Sequence, residues 1–310
     1  MRFDVTHVTV YDWGAPVPVA DCRLRLTPLA RHRQRVHTTD LAFDPMPDHV
    51  ASERDWFGNS VTRIAFRAPH SQLTIRATAT VTVDPLGALE PDRSPPWEEI
   101  ARRATQSDSL AAVDPIHYVF PSRHVPLTPA VTRWTAESFP PGRPILAGLL
   151  SLTKRIHTDF RYAPGVTDVA TPLGRVFEER RGVCQDFAHV MIAGLRGLGL
   201  PAAYVGGYLR TLPPPGAPRL EGADAMHAWV EAWCGPTLGW IGLDPTNAVL
   251  ASDDHIVVAV GRDYAEAAPV VGILSSSGEQ GLSVAVDVVE VPPPPAEARA
   301  LSLDLGTPPA

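Results

Sequence analysis

Cys184, His227 and Asp244 follow one another along a chain of 310 residues, and as a set they could carry out acyl transfer. A thiolate attacks carbonyl carbon, an imidazole moves the proton, and a carboxylate holds the imidazole in one tautomer. Arg181-Gly182-Val183 precede the cysteine, and a helical stripe of Phe187, Met191, Leu195 and Leu198 follows it. The thiol is therefore expected at a helix N-terminus, where unpaired N–H groups and the positive dipole end favour an anion. Such a setting can lower a thiol pKa from about 8.5 toward ~3.5–7.5, most when a histidine is adjacent. The same N–H groups could donate to a developing oxyanion.

The histidine and the acid are linked by a hairpin. Met226 to Trp233 reads as a strand, Cys234 to Leu238 as a turn, and Gly239 to Asp244 as the returning strand. His227 and Asp244 are symmetric about a point between Gly235 and Pro236, which would set them directly opposite, with Cβ atoms ~4.5–5.5 Å apart. A register shift of two leaves them diagonal and within reach; a shift of one puts them on opposite faces.

Other residues have plainer explanations. His189 lies on a different helix face from the thiol and is expected to be structural. Asp186 suits a first helical turn whatever the function, and its charge opposes a thiolate. Trp229, Trp233 and Trp240 read as core or cleft-wall aromatics, Cys22 and Cys234 as bystanders, and Arg31-His32-Arg33-Gln34-Arg35 as a solvated loop. There is no CxxC, no HExxH and no glycine-rich phosphate loop, so no metal or nucleotide cofactor is expected. Gly206-Gly207 sits inside a strand pattern.

The elements that must hold these residues fall into four segments. Residues 1–90 read as β, most clearly where Leu73, Ile75, Ala77, Ala79, Val81 and Val83 alternate with polar neighbours. An antiparallel sandwich is expected there, with a hairpin tip at Asp55 to Asn59. Residues 91–144 form a proline-marked connector, with a helix opened by Thr128-Pro129. Residues 145–275 form an α+β core. Its helices include the stripe Ile145, Leu149, Leu152, Ile156, Phe160, and its strands fall at 202–209, 226–233 and 239–244. The loop Leu212 to Asp224 could act as a lid. Residues 276–310 hold a last alternating run and a proline-rich tail.

Composition removes several functions. The net charge of -7 argues against nucleic acid as a partner. No apolar run reaches the ~20 residues of a membrane span, and the first residues lack an apolar signal region. Three scattered cysteines fit a reducing, cytoplasmic setting better than a disulfide framework.

Three stretches together resemble the transglutaminase-like superfamily, in its bacterial branch with a β-rich N-terminal region. They are Arg181 to His189 around the cysteine, Ala225 to Glu231 around the histidine, and Gly239 to Asn247 around the aspartate. Phe160-Arg161-Tyr162, Gly165, the Asp55 to Asn59 tip and Gly261-Arg262-Asp263-Tyr264 support the match. The resemblance implies a papain-like core in which a helix-borne cysteine packs on an antiparallel sheet. It implies Cys184 as nucleophile, His227 as base then acid, and Asp244 as orienter. Gln185, Tyr162 and Trp229 become candidates for the oxyanion hole or the cleft. The implied substrate is a peptide or amide, or a protein glutamine side chain. Hydrolysis of an amide through a thioester is the leading expectation. Transamidation or deamidation by the same residues, and a non-catalytic peptide-binding module, are the alternatives.

Overall fold

The computed structural model describes residues 1–106, 109–211, 225–274 and 280–292. The loop expected at Leu212 to Asp224 and the tail from residue 293 lie outside the described residues.

Six strands come first: β1 (Arg2–Val17), β2 (Ala20–Leu24), β3 (Gln34–Asp44), β4 (His49–Arg54), β5 (Ser60–Phe66) and β6 (His70–Val83). Three helices follow, α1 (Trp97–Ala104), α2 (Pro129–Ala136) and α3 (Ile145–Asp159). Then come β7 (Arg161–Tyr162), α4 (Leu173–Glu179), β8 (Arg181–Gly182) and α5 (Cys184–Gly197). The remainder is β9 (Ala202–Leu209), β10 (Ala225–Trp233), β11 (Trp240–Asp244), β12 (Val249–Leu250), β13 (His255–Gly261), α6 (Tyr264–Ala267), β14 (Val270–Leu274) and β15 (Gln280–Glu290). No helix among the described residues is long and apolar enough to cross a membrane.

The N-terminal strands form two four-stranded sheets, ordered β15-β1-β6-β3 and β14-β2-β5-β4. Period-two alternation does what it predicts: Leu73, Ile75, Ala77, Ala79, Val81 and Val83 are all buried. Half of that stripe meets Cys22, Leu24, Ile64 and Phe66 of the facing sheet. The other half, with Phe3 and Val5, meets Tyr208, Ile256 and Val258 of the core. One long sheet thus seals both the sandwich and its junction with the core. Each sheet takes an edge strand from beyond residue 269: β14 pairs with β2, and β15 pairs with β1. The sandwich is therefore completed by segments that the sequence sets apart from residues 1–90.

The core is a five-stranded antiparallel sheet, β12-β11-β10-β9-β13, packed on α5. Ala228, Val230 and Ala232 of β10 join Phe187, Met191 and Leu195 of α5 in the main hydrophobic cluster. The sequence stripe predicts one buried face for α5, yet nearly its whole surface is covered. The reason is α2, which crosses where α5 carries glycine. A Cβ at Gly194 would come within 1.9 Å of Thr135 Oγ1, and one at Gly197 within 2.1 Å of Thr132 Oγ1.

Two sequence features resolve as joints. Asn59, in the Asp55 to Asn59 tip, donates to the Val260 carbonyl and accepts from the Val260 N–H, pinning the tip to β13. The Arg31 to Arg35 run is not the solvated loop expected of it. Gln34 is buried, donating to the carbonyls of Leu29 and Val257 and accepting from the Val257 N–H. Arg31 pairs with Glu231 of β10. The run docks the sandwich onto the core sheet.

Candidate active site

Cys184 opens α5 after a short, tightly held approach. β7 and β8 pair in parallel, which sets Tyr162 beside Gly182. Arg180 turns the chain into β8 with a left-handed φ of 52°. That conformation is costly for a residue with a Cβ. Its guanidinium compensates by lying 4.0 Å from the Phe177 ring centre and 4.7 Å from that of Phe160. Asp186 then accepts from the Val183 N–H at 2.8 Å and from the Thr167 hydroxyl at 2.7 Å. Burial raises the Asp186 carboxyl above its usual range, opposed by those two bonds. Its role is to fix the helix start. Gly182 makes room for it, since a Cβ there would lie 2.5 Å from Asp186 Oδ2.

His227 connects the thiol to the acid. Its Nε2 lies 2.8 Å from Asp244 Oδ2, and the Cys184 sulfur is near enough to favour the charged form of the ring. The hairpin register pairs Val230 with Leu243 and Trp233 with Trp240, so Asp244 lies opposite Trp229 rather than His227. The register centred between Gly235 and Pro236 is thus displaced by two residues, and the side chains meet diagonally on one face.

Asp244 is fully buried. Its Oδ2 accepts from His227, from Asn247 Nδ2 at 2.7 Å and from His255 Nε2 at 3.2 Å. Its Oδ1 accepts the backbone N–H groups of Thr246 at 2.9 Å and Asn247 at 3.1 Å. Burial alone would raise this carboxyl; the donors around it, His227 first, pull it well below the ordinary range. Burial lowers the His227 imidazolium, but the bond to Asp244 and the neighbouring Cys184 sulfur outweigh it and hold the group up at about 9. The imidazole therefore carries its proton at neutral pH.

A free histidine titrates near 6.5, so the His227 contribution to stability is complete below that pH and is lost as pH rises through about 9. Thermal unfolding followed from pH 6 to pH 9.5 should show a falling midpoint, with a smaller fall in His227→Gln.

Two family models match the chain. The bacterial transglutaminase-like N-terminal region covers residues 3–82, and the transglutaminase-like superfamily model covers residues 136–245. An uncharacterized protein of Mycobacterium tuberculosis is 41% identical over 295 residues, spanning 93% of this chain and 92% of its own length. The chain belongs to the transglutaminase-like superfamily. A crystal structure of a candidate cysteine protease from Cytophaga hutchinsonii has the same fold. Its TM-score is 0.72 at 23% identity, covering 95% of this chain and 93% of that one. A protein-glutamine gamma-glutamyltransferase of Pseudomonas aeruginosa is 41% identical over 75 residues, 24% of this chain and 11% of its own length.

The other candidates of this superfamily member separate. Gln185 is half-buried in the first turn of α5, next to the thiol. Tyr162 is 52% exposed, and its hydroxyl is pushed up by burial and then by the nearby Cys184 sulfur. Tyr204, which the sequence did not single out, feels the same sulfur from a buried position. Trp229 is neither cleft wall nor oxyanion donor, because it is 1% exposed. Strand alternation puts it on the His227 face, where Leu29, Val205 and Val257 cover it. It stacks near His227, ring centres 6.2 Å apart, and meets His255 edge-on at 5.2 Å. Cys22 and Cys234 are buried, and burial raises both thiols, that of Cys22 to about 11. Cys184 is the half-exposed thiol. His189 is buried and held down to about 3 by burial; its Nε2 accepts the Tyr264 N–H.

His255 is the residue that sequence reasoning missed. It stands at the head of β13, and its only local mark is being a histidine before an apolar strand. With His227 and Asp244 it brings three metal-ligating atoms within 4.8 Å of one another. Their hydrogen bonds oppose a cation there. Ser252 N–H points at His255 Nδ1, 3.4 Å away, which leaves the proton on Nε2, aimed at Asp244. A metal would have to displace three N–H donors from one oxygen.

Proposed function

We propose that this protein is a thiol-dependent amide or peptide hydrolase that works through a Cys184 thioester. The observation that carries this reading is the placement of His227, bonded to the buried Asp244 and close enough to the Cys184 sulfur for that sulfur to favour its charged form. Cys184 sulfur, its proton on His227, attacks the carbonyl carbon of the substrate. The oxyanion that forms lies at the start of α5, where helix geometry leaves the N–H groups of Cys184 and Gln185 without intrahelical partners. His227 then protonates the departing amine, the C–N bond breaks, and a thioester remains. His227 next takes a proton from water, the hydroxide adds to the thioester, and the acid leaves as Cys184 is regenerated. Asp244 keeps one imidazole orientation and stabilises its cation throughout.

A second reading has support from the Pseudomonas aeruginosa transferase, with which this chain shares a 75-residue stretch. In it a primary amine, rather than water, resolves the thioester of a glutamine side chain.

The test is intact-protein mass spectrometry with peptide amides and glutamine peptides, with and without a primary amine. An acyl adduct on Cys184, absent in Cys184→Ala, supports the thioester. Amide turnover unchanged in Cys184→Ala overturns it. Ammonia release without amine incorporation selects hydrolysis, and incorporation selects the second reading.

A further inference from the structure

Where the sandwich meets the thiol end of α5 there is a cavity of about 450 Å³. That volume lies within the ~300–1,000 Å³ typical of ligand sites. The topology fixes its place. α5 ends beside the start of β9, where Arg196 donates to the Ala202 carbonyl, so Cys184 lies toward the far end of that strand. The far end holds Tyr208, which is paired with Met226 of β10. Ala228, Val230 and Ala232 face α5, and alternation puts Met226 on the same side. Met226 and Tyr264 are walls of the cavity. Tyr264 packs on the same hydrophobic cluster as Cys184, and its ring centre lies 6.3 Å from that of Tyr204, which feels the Cys184 sulfur.

The opposite wall comes from the sandwich: His7, Thr9 and Tyr11 of β1, and Leu282 and Val284 of β15. No carboxylate, lysine or arginine is among the described residues that line the cavity. Its polar groups are already engaged with one another. The Tyr208 hydroxyl donates to the Leu26 carbonyl and therefore accepts from His7 Nδ1, and His7 Nε2 accepts the Thr9 hydroxyl. Burial holds His7 down to about 4 and pushes the Tyr11 hydroxyl up to about 12, so neither is charged at neutral pH. The rim is apolar. Leu282 is 64% exposed and Val284 49%, although alternation sets both on the face of the buried Val286 and Val288. The inner face of β15 thus runs out past the core and leaves an apolar shelf beside the cavity.

We propose that this cavity receives a large apolar side chain of the peptide substrate, flanking the amide that Cys184 attacks. The proposal rests on the reading of Cys184 as the acylated thiol, and it names the class of peptide. An apolar side chain gains by leaving water here, whereas a charged one would lose its hydration and meet no opposite charge. Binding energy gathered at this distance from the sulfur holds the carbonyl in place for attack. The position of the cavity at the thiol end of α5 favours a substrate as its occupant over a second copy of the chain. The sandwich then has a part in the reaction: β1 and β15 form one side of the substrate cleft.

The test measures how fast Cys184 is alkylated by peptides that need no turnover. Chloroacetyl-Leu-Leu-Leu-amide and its Gly-Gly-Gly counterpart probe one side of the reacting bond; the acetyl tripeptide chloromethyl ketones of the same two sequences probe the other. In at least one series the leucine reagent should inactivate saturably, with kinact/KI at least about tenfold above the glycine reagent. Val284→Glu and, separately, Leu282→Glu should each remove most of that preference. Both positions are exposed, and an unchanged rate with the glycine reagent shows that the thiol end of α5 is intact. Equal rates for leucine and glycine in both series would overturn the proposal, as would a leucine preference that survives both variants. So would a dimer that Leu282→Glu dissolves without any leucine preference, which assigns the shelf to a second copy. The hydrolase reading fails separately: leucine-selective alkylation with no cleavage of leucine-flanked amides removes the hydrolysis and keeps the apolar peptide site.

Discussion

Replacing Asp244 with asparagine is expected to lower amide turnover by about 10⁴-fold, the scale seen when an orienting carboxylate beside a catalytic histidine loses its charge. The local bonding explains why so small a change acts so strongly. One carboxylate oxygen accepts three side-chain N–H groups, and the other accepts two backbone N–H groups. A carboxamide offers one acceptor oxygen. Its NH₂ must face either the two backbone donors or the three side-chain donors, whichever way it turns. Stability should fall as well, by about 3 kcal/mol, since buried donors lose their acceptor. The His227 imidazolium also loses the group that holds it up. Turnover measured well below the unfolding midpoint, beside the unfolding curve itself, separates the two effects. An Asp244→Asn protein that turns over amides within tenfold of wild type would remove this residue from the reaction.

Gly207→Ala should damage the fold more than any surface change. The glycine lies directly across from His227 on β10 and from Val257 on β13. A Cβ there would stand 2.0 Å from the Ile256 carbonyl oxygen and 2.6 Å from the Trp229 ring. The oxygen belongs to a strand backbone and the ring is packed beneath the imidazole, so neither can give way cheaply. Overpacking of this kind costs about 1–3 kcal/mol, and more where backbone is involved. A loss of about 3 kcal/mol is expected in denaturant unfolding, with slower alkylation of Cys184 as His227 is displaced. Wild-type stability in Gly207→Ala would mean the strands can separate without consequence.

Legibility of the site followed the range of the interactions. The start of α5 was readable because Gly182, the thiol and the apolar stripe lie within one short segment. His227 and Asp244 were readable as a pair because the hairpin joins them, although the turn geometry moved the register by two residues. His255 was not readable. It reaches Asp244 from the head of a different strand, and nothing local marks that approach. Trp229 reads from the sequence as core or cleft wall, and burial makes it core: alternation specifies a face, not what covers it, and part of the cover comes from Leu29, about two hundred residues earlier. The Arg31 to Arg35 run misled for the same reason. Its charges suggested solvent, while Gln34 and Arg31 hold it to the core sheet.

The pairing of β15 with β1 has a consequence for biosynthesis. Residues Phe3 to Trp13 find their neighbours at Gln280 to Glu290. A ribosome that has made the first ninety residues has therefore released a sheet that lacks one of its four strands, with β1 standing at the edge that β15 later takes. Bare edges invite pairing with other nascent chains. Until the late strand emerges, β1 rather than β15 forms the open edge of that sheet, and a fragment ending near residue 275 should aggregate more readily than the intact chain.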